Sequence, residues 1–213
     1  MKLTLLTHYL ANYQSLADIV LPNRQNYCIK HGYNSYIHCG DYYNSSWHSG
    51  IQRVKMIKDY LFSSDVDFIW CLDIDAIIMN MTKPVTDYLD DGHDFFICRD
   101  CNGLNAGSFI IRRSEWSKNW LNFLIEKALT INHYWYENRV IHLYEKDPMF
   151  VDKIKDLPHP SINSYLFDIY ESYPRNVPGN YQKGDFVIHL PGKTLQERLD
   201  IFKSPRIQEN IVY

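Results

Sequence analysis

Short unbroken apolar runs alternate along the chain with stretches in which apolar residues recur at helical spacing. Residues 2–7 (KLTLLT) form a β-prone run that predicts a first strand, followed by a polar segment in which Leu16, Ile19 and Val20 keep helical spacing. Pro22 is placed to restart or kink that helix, and Gly32 to stop it. Residues 33–39 (YNSYIHC) alternate as a second strand. Beyond a polar loop, Ile51, Val54, Ile57 and Leu61 mark a helix over 51–62. The run FIWCL at 68–72 is continuously apolar, as strands buried on both faces are, and it ends abruptly in Asp73-Ile74-Asp75.

The second half is read the same way. Strands are expected at 95–98 and 108–111, then a helix over 115–129 capped by Ser114. Residues 147–154 predict a short helix. Residues 158–184, with four prolines, predict mostly loop, and 186–190 (FVIHL) a last strand. Strands and helices taking turns predict an α/β fold with a central mixed sheet flanked by helices.

The composition narrows the class. The 213 residues suit a single domain, and 46% hydrophobic against 22% charged residues is the balance of an ordinary globular chain. With 22 basic and 25 acidic residues there is no electrostatic case for nucleic acid as a partner. No apolar run reaches the roughly 20 residues a membrane span needs, and the opening MKLTLLTHYLANY lacks a signal-peptide pattern. Five cysteines, an odd number, argue against a disulfide framework and for reduced thiols, so a cytoplasmic location is expected. Cys98 and Cys101 form a CxxC with no second pair to complete a zinc site. The sequons at Asn44 and Asn80 would matter only in a secretory lumen. Aromatics stand out at 15%, with 17 tyrosines, rings suited to bases and sugar faces as well as to core edges.

Three segments carry chemistry. Asp73-Ile74-Asp75 closes a buried strand, and ligands of open α/β sheets bind beyond the carboxyl ends of strands. Paired carboxylates there can clamp a divalent cation against a diphosphate leaving group, although a strand-ending Asp that caps a turn is commoner. Asn102-Gly103-Leu104-Asn105-Ala106-Gly107 combines small residues for close approach with amides for hydroxyls; a glycine-rich hairpin turn explains it equally well. Finally, DFVIHLPGK at 185–193 brings His189 to a strand end, with Gly192 for a tight turn and Lys193 for a phosphate, although a lone histidine there is more often structural.

In this order the segments FIWCLDIDAIIMN, DCNGLNAGSFIIRRSEWS and FVIHLPGK, with WHSGIQRVKMIKDYL before and YEKDPMFV between them, resemble the galactosyltransferase/mannosyltransferase family of yeast Golgi enzymes and plant xyloglucan xylosyltransferases. The resemblance spans about residues 2 to 195, and the compact chain is also similar to glycosyltransferases of large DNA viruses or bacteria. It implies one GT-A domain over 1–213, with a Rossmann-like nucleotide-binding half over about 1–80 and an acceptor half over 81–213. It further implies transfer from a nucleoside-diphosphate sugar, UDP-linked, to a glycan or other hydroxyl acceptor, with Mn²⁺ or Mg²⁺ as cofactor, and it allows for further domains in a longer polypeptide. Carried over by position, Asp73, Asp75 and His189 hold the metal. Asp73 also meets the nucleotide, as do Thr7, His8 and Tyr9 near the base and Arg53, Gly192 and Lys193 at the nucleotide or diphosphate. Asn105, Ala106 and Gly107 face the donor sugar, and Asp147, beside Glu145, lies near the reacting centre. A haloacid-dehalogenase-type phosphatase would also use a strand-end DxD, with Asp90-Asp91 as a faint second acidic motif. A non-catalytic carbohydrate-binding module would need neither the DxD nor His189. Nucleotidyl transfer lacks a glycine-rich phosphate loop here.

Overall fold

The computed structural model describes residues 1–100, 102–131, 133–166 and 179–213. Its first three strands are β1 (Leu3–Tyr9), β2 (Asn34–Cys39) and β3 (Phe68–Leu72), joined by helices α1 (Gln14–His31) and α2 (Ser49–Ser63). Both β2 and β3 pair with β1 in parallel, which short strand-to-strand turns cannot achieve, so the helices serve as the crossovers. Every residue of β1 and β3 is buried, as their continuous apolar runs require.

The sheet then changes direction. β5 (Phe95–Asp100) and β6 (Gly103–Arg112) form an antiparallel hairpin, β6 lies against β3, and β7 (Ile154–Leu157) closes the far edge parallel to β5. The full order is β2-β1-β3-β6-β5-β7, the expected mixed sheet. A separate two-stranded ribbon pairs β4 (Ala76–Ile78) with β8 (Val187–His189).

Side chains alternate across the sheet and divide the core. Leu6, Ile69, Ile97 and Ile111 pack against α2, α3 (Glu115–Thr130) and α4 (Tyr136–Tyr144) through Ile57, Trp120 and Ile141. Their neighbours Leu5, Trp70, Phe96 and Ile110 face the other way, toward Tyr27 of α1 and Phe186. Near the C-terminus, α5 (Leu195–Lys203) is followed by α6 (Pro205–Gln208), and Phe202 and Ile207 pack with Leu16 and Val20 of α1.

Local signals explain several ends. Gly32 adopts φ 67° just past α1, where a Cβ would be strained, and the Ser114 side chain accepts the Ser117 N–H at the start of α3. Pro22 does not restart the helix but lies inside one continuous α1. The helix expected over 147–154 is absent: Asp147 accepts the N–H groups of Phe150 and Val151 in a single turn, residues 151–153 form a 3₁₀ turn, and Ile154 opens β7. Pro148 removes one donor near the start of that stretch, and the edge of β5 supplies backbone partners instead. Within the loop expected over 158–184, residues 167–178 lie outside the described residues, as does Cys101 of the CxxC.

Candidate active site

A cleft opens beyond the carboxyl ends of β1 and β3, and strand pairing delivers its central side chains. Asp73 follows β3 directly, and its N–H donates to the Gly107 carbonyl of β6 at 2.8 Å. The Ala76 N–H donates back to the Asp73 carbonyl at 3.0 Å, so Asp73-Ile74-Asp75 forms a tight turn into β4. In the ribbon Ala76 stands opposite His189, and the Leu190 N–H donates to the Asp75 carbonyl at 2.9 Å. Two residues 114 positions apart thereby become neighbours, with His189 Nε2 3.3 Å from Asp75 Oδ1.

Asp73, Asp75 and His189 each present a ligand atom, and these atoms lie within 4.8 Å of one another. Asp75 and His189 are buried, and His189 Nδ1 has no hydrogen-bond partner among the described residues. Two carboxylates and an imidazole at this spacing fit a divalent cation, and the nitrogen favours Mn²⁺ over the strictly oxygen-seeking Mg²⁺. Such an ion would supply positive charge to an anionic group in the cleft.

Two arginines balance the carboxylates. Arg53, from α2, pairs through Nη1 with Asp73 Oδ1 and through Nη2 with Glu137 Oε1 at 2.8 Å, and Nη2 also meets the Ala106 carbonyl at 3.3 Å. Arg198, from α5, pairs through Nη2 with Asp75 Oδ2 at 2.6 Å. Behind the turn, the fully buried Arg24 of α1 donates to the carbonyls of Leu72 and Ala76, at 2.9 and 2.8 Å, and to that of Asp73.

The small-residue segment is both hairpin and cleft wall. Gly103 takes φ 121° as β6 begins, while Asn105, Ala106 and Gly107 line the cleft. The Asn105 amide donates to Asp100 Oδ2 at 2.8 Å, and its carbonyl oxygen accepts the Gly107 N–H at 2.8 Å. Asn138 Oδ1 accepts the Ala106 N–H at 2.8 Å. Gly107 is forced: a Cβ there would fall on the His189 ring, 2.7 Å from Nδ1 and 2.8 Å from Nε2.

The remaining expected residues divide. His8, Tyr9 and Gly192 line the cleft, and His8 Nε2 lies 2.9 Å from the Gly40 carbonyl. Burial lowers the His8 pKa below the usual histidine value. Thr7 is buried on the face of β1 opposite His8, where its hydroxyl meets Arg24. The Lys193 ammonium pairs with Glu197 at 3.3 Å and is not among the residues lining the cleft. Glu145 and Asp147 also stand apart from the lining: Glu145 pairs with Arg99 at 3.1 Å, and Asp147 Oδ1 accepts the Met149 N–H at 2.9 Å. Asp90 of the faint second acidic motif is likewise elsewhere, paired with His93 and Lys155.

Glu137, Asn138 and Arg198 line the cleft without having been expected. The aromatic stretch HYWYENRV, weak in helix propensity, hides α4. A usable signal for α5 was present in Thr194-x-x-Glu197, which forms a complete capping box.

Comparison with known proteins agrees with this architecture. The family model described as galactosyl transferase GMA12/MNN10 matches residues 5–91 and 88–198. A probable alpha-1,6-mannosyltransferase, MNN10, of Saccharomyces cerevisiae is 25% identical over 219 residues, covering 84% of this chain and 56% of the relative. An alpha-1,2-galactosyltransferase of Schizosaccharomyces pombe is 28% identical over 217 residues, covering 83% and 56%. The chain thus spans about half the length of these curated relatives. The crystal structure of a glycosyltransferase involved in glycosylation of the major capsid of PBCV-1 superposes with TM-score 0.74 at 17% identity, covering 95% of this chain and 99% of that one. The fold is GT-A, and the chain belongs to the galactosyl transferase GMA12/MNN10 family.

Proposed function

We propose that the cleft transfers a hexose from a nucleoside-diphosphate sugar, UDP-linked, to a glycan hydroxyl, with a divalent cation on Asp73, Asp75 and His189. The observation that carries this reading is the convergence of those three donors from the β3 end and the β4/β8 ribbon, within 4.8 Å. The galactosyl and mannosyl transfers named for the relatives favour a hexose. The free thiols of Cys28, Cys39, Cys71 and Cys98 favour a reducing compartment, the cytoplasm, and among the described residues no helix is long and apolar enough to cross a membrane.

The chain's own groups divide the work. His8 and Tyr9, with Tyr13 beside them, form the lobe for the base, while Gly192 lets the backbone approach the diphosphate. Asn105, Ala106, Gly107 and Asn138 hold the donor sugar, their backbone and amides already fixed to one another. Glu137, held by Arg53, is the acidic side chain of α4 that lines the cleft. It takes the positioning role near the reacting centre for which Glu145 and Asp147 were the sequence candidates.

A thermal-shift panel of UDP, GDP and their sugar conjugates, with and without Mn²⁺, tests the reading, because a ligand of the native state raises apparent stability by about 2.7 kcal/mol at a hundred times its Kd. A rise that requires both Mn²⁺ and one nucleotide is expected. No Mn²⁺-dependent rise with any member would overturn it.

A further inference from the structure

Arg198 borders the cleft and is ion-paired to Asp75, one of the three residues that would hold the cation. Its Nη2 lies 2.6 Å from Asp75 Oδ2, on the same carboxylate whose Oδ1 faces His189 Nε2 at 3.3 Å. Its Nε donates to the Leu190 carbonyl at 3.1 Å, and its guanidinium carbon lies over the Tyr13 ring, 5.9 Å from the centroid. The residue is buried and borders the cleft both at Tyr9 and Ile74 and at His189 and Gly192. Among the described residues Asp75 is its ion-pair partner.

One carboxylate cannot give its full charge to a guanidinium and to a divalent cation at once. A cation on Asp75 therefore faces both a weakened ligand and the repulsion of a fixed positive charge in a region of low dielectric. A diphosphate reverses the balance, since its oxygens accept from a guanidinium in the bidentate geometry that arginine favours.

We propose that Arg198 is a donor-binding residue that couples the ion to the nucleotide: it competes with a divalent cation for Asp75 and pairs with the donor's diphosphate, so that ion and diphosphate bind together better than either alone. This rests on the reading that Asp73, Asp75 and His189 hold the ion, and it gives α5 a direct part in donor capture.

Calorimetric titration of wild type, Arg198→Met and Arg198→Lys with Mn²⁺ alone, and with UDP or GDP at saturating Mn²⁺, tests it. For Arg198→Met, Mn²⁺ alone should bind several-fold more tightly, while the nucleotide should bind about 10- to 100-fold more weakly, the scale of a charge-assisted hydrogen bond. Arg198→Lys keeps the charge and loses the fork, so Mn²⁺ affinity should stay close to wild type while the nucleotide still weakens. This variant carries the test if the methionine variant does not fold. Nucleotide affinity unchanged in either variant, or Mn²⁺ affinity in the folded methionine variant equal to or below wild type, overturns the role of Arg198. Wild type that binds no Mn²⁺, with or without nucleotide, overturns the metal site itself and this inference with it.

Discussion

Arg53 Nη2 and Glu137 Oε1 lie 2.8 Å apart although 84 residues separate them in sequence, and this buried pair ties α2 to α4 along the cleft wall. Gly50, one turn from Arg53, has no room for a side chain because the Glu137 carboxylate occupies the space a Cβ would need. Glu137→Gln keeps the shape and removes the charge. It should lower kcat about 10- to 100-fold, with a stability loss of about 2 kcal/mol, since Arg53 retains Asp73. Steady-state kinetics beside a denaturation curve measures both; a stability loss with unchanged kcat would make the pair purely structural.

Gly107 separates packing from chemistry. The extra methyl of Gly107→Ala would occupy the position of the His189 ring, so His189 must move while the β3–β6 backbone pairing remains. Mn²⁺ affinity in the presence of nucleotide should fall at least tenfold with the circular-dichroism spectrum unchanged. Wild-type affinity would show that the imidazole is not needed by the ion.

Arg24 serves the turn from behind. Its guanidinium satisfies the carbonyls of Leu72, Asp73 and Ala76, and Arg24→Met leaves these without that donor in a dry site. A loss of about 3 kcal/mol is expected in urea unfolding, at an unchanged m value. A loss below 1 kcal/mol would mean that other groups pin the turn.

The parts of the site legible in the sequence are those that local pattern dictates. FIWCL, continuously apolar and too short for a helix, read as a buried strand, which put Asp73 and Asp75 at its carboxyl end, and Gly32 and Ser114 announced helix ends that the structure keeps. The illegible parts depend on pairing between distant segments. β4, three residues long, is too short for any periodicity, and although 186–190 read as a strand, its pairing with β4, which sets His189 beside Asp75, was not legible. Thr7 was grouped with His8 and Tyr9, but its hydroxyl is buried against Arg24, while His8 on the opposite face and Tyr9 at the strand's end reach the cleft. Glu137 was hidden by aromatic residues, and the acidic segment at 145–147 lies at the other end of the same helix, away from the cleft lining.

The cleft histidines set an acid limit on stability. Burial lowers the pKa values of both His8 and His48, and the nearby Arg53 charge acts in the same direction. On acidification below about 6.5 the unfolded chain takes up these protons before the folded one does, so stability is full above that pH and falls as pH drops toward the folded values. The melting temperature should decline from pH 7 to pH 5, and a His8→Gln, His48→Gln double variant should decline less steeply. An identical slope in wild type and variant would assign the acid loss to other groups.

The measurement that bears most directly on the account is release of nucleoside diphosphate from UDP-galactose, UDP-glucose and GDP-mannose, followed in wild type and Asp75→Ala, with Mn²⁺ and with chelator. The account predicts turnover of at least one donor by wild type with Mn²⁺, loss of that turnover in chelator, and loss of at least a hundredfold in Asp75→Ala while the melting curve shows a folded protein. Turnover that survives both the chelator and the Asp75 substitution would contradict a metal-assisted transfer at this cleft.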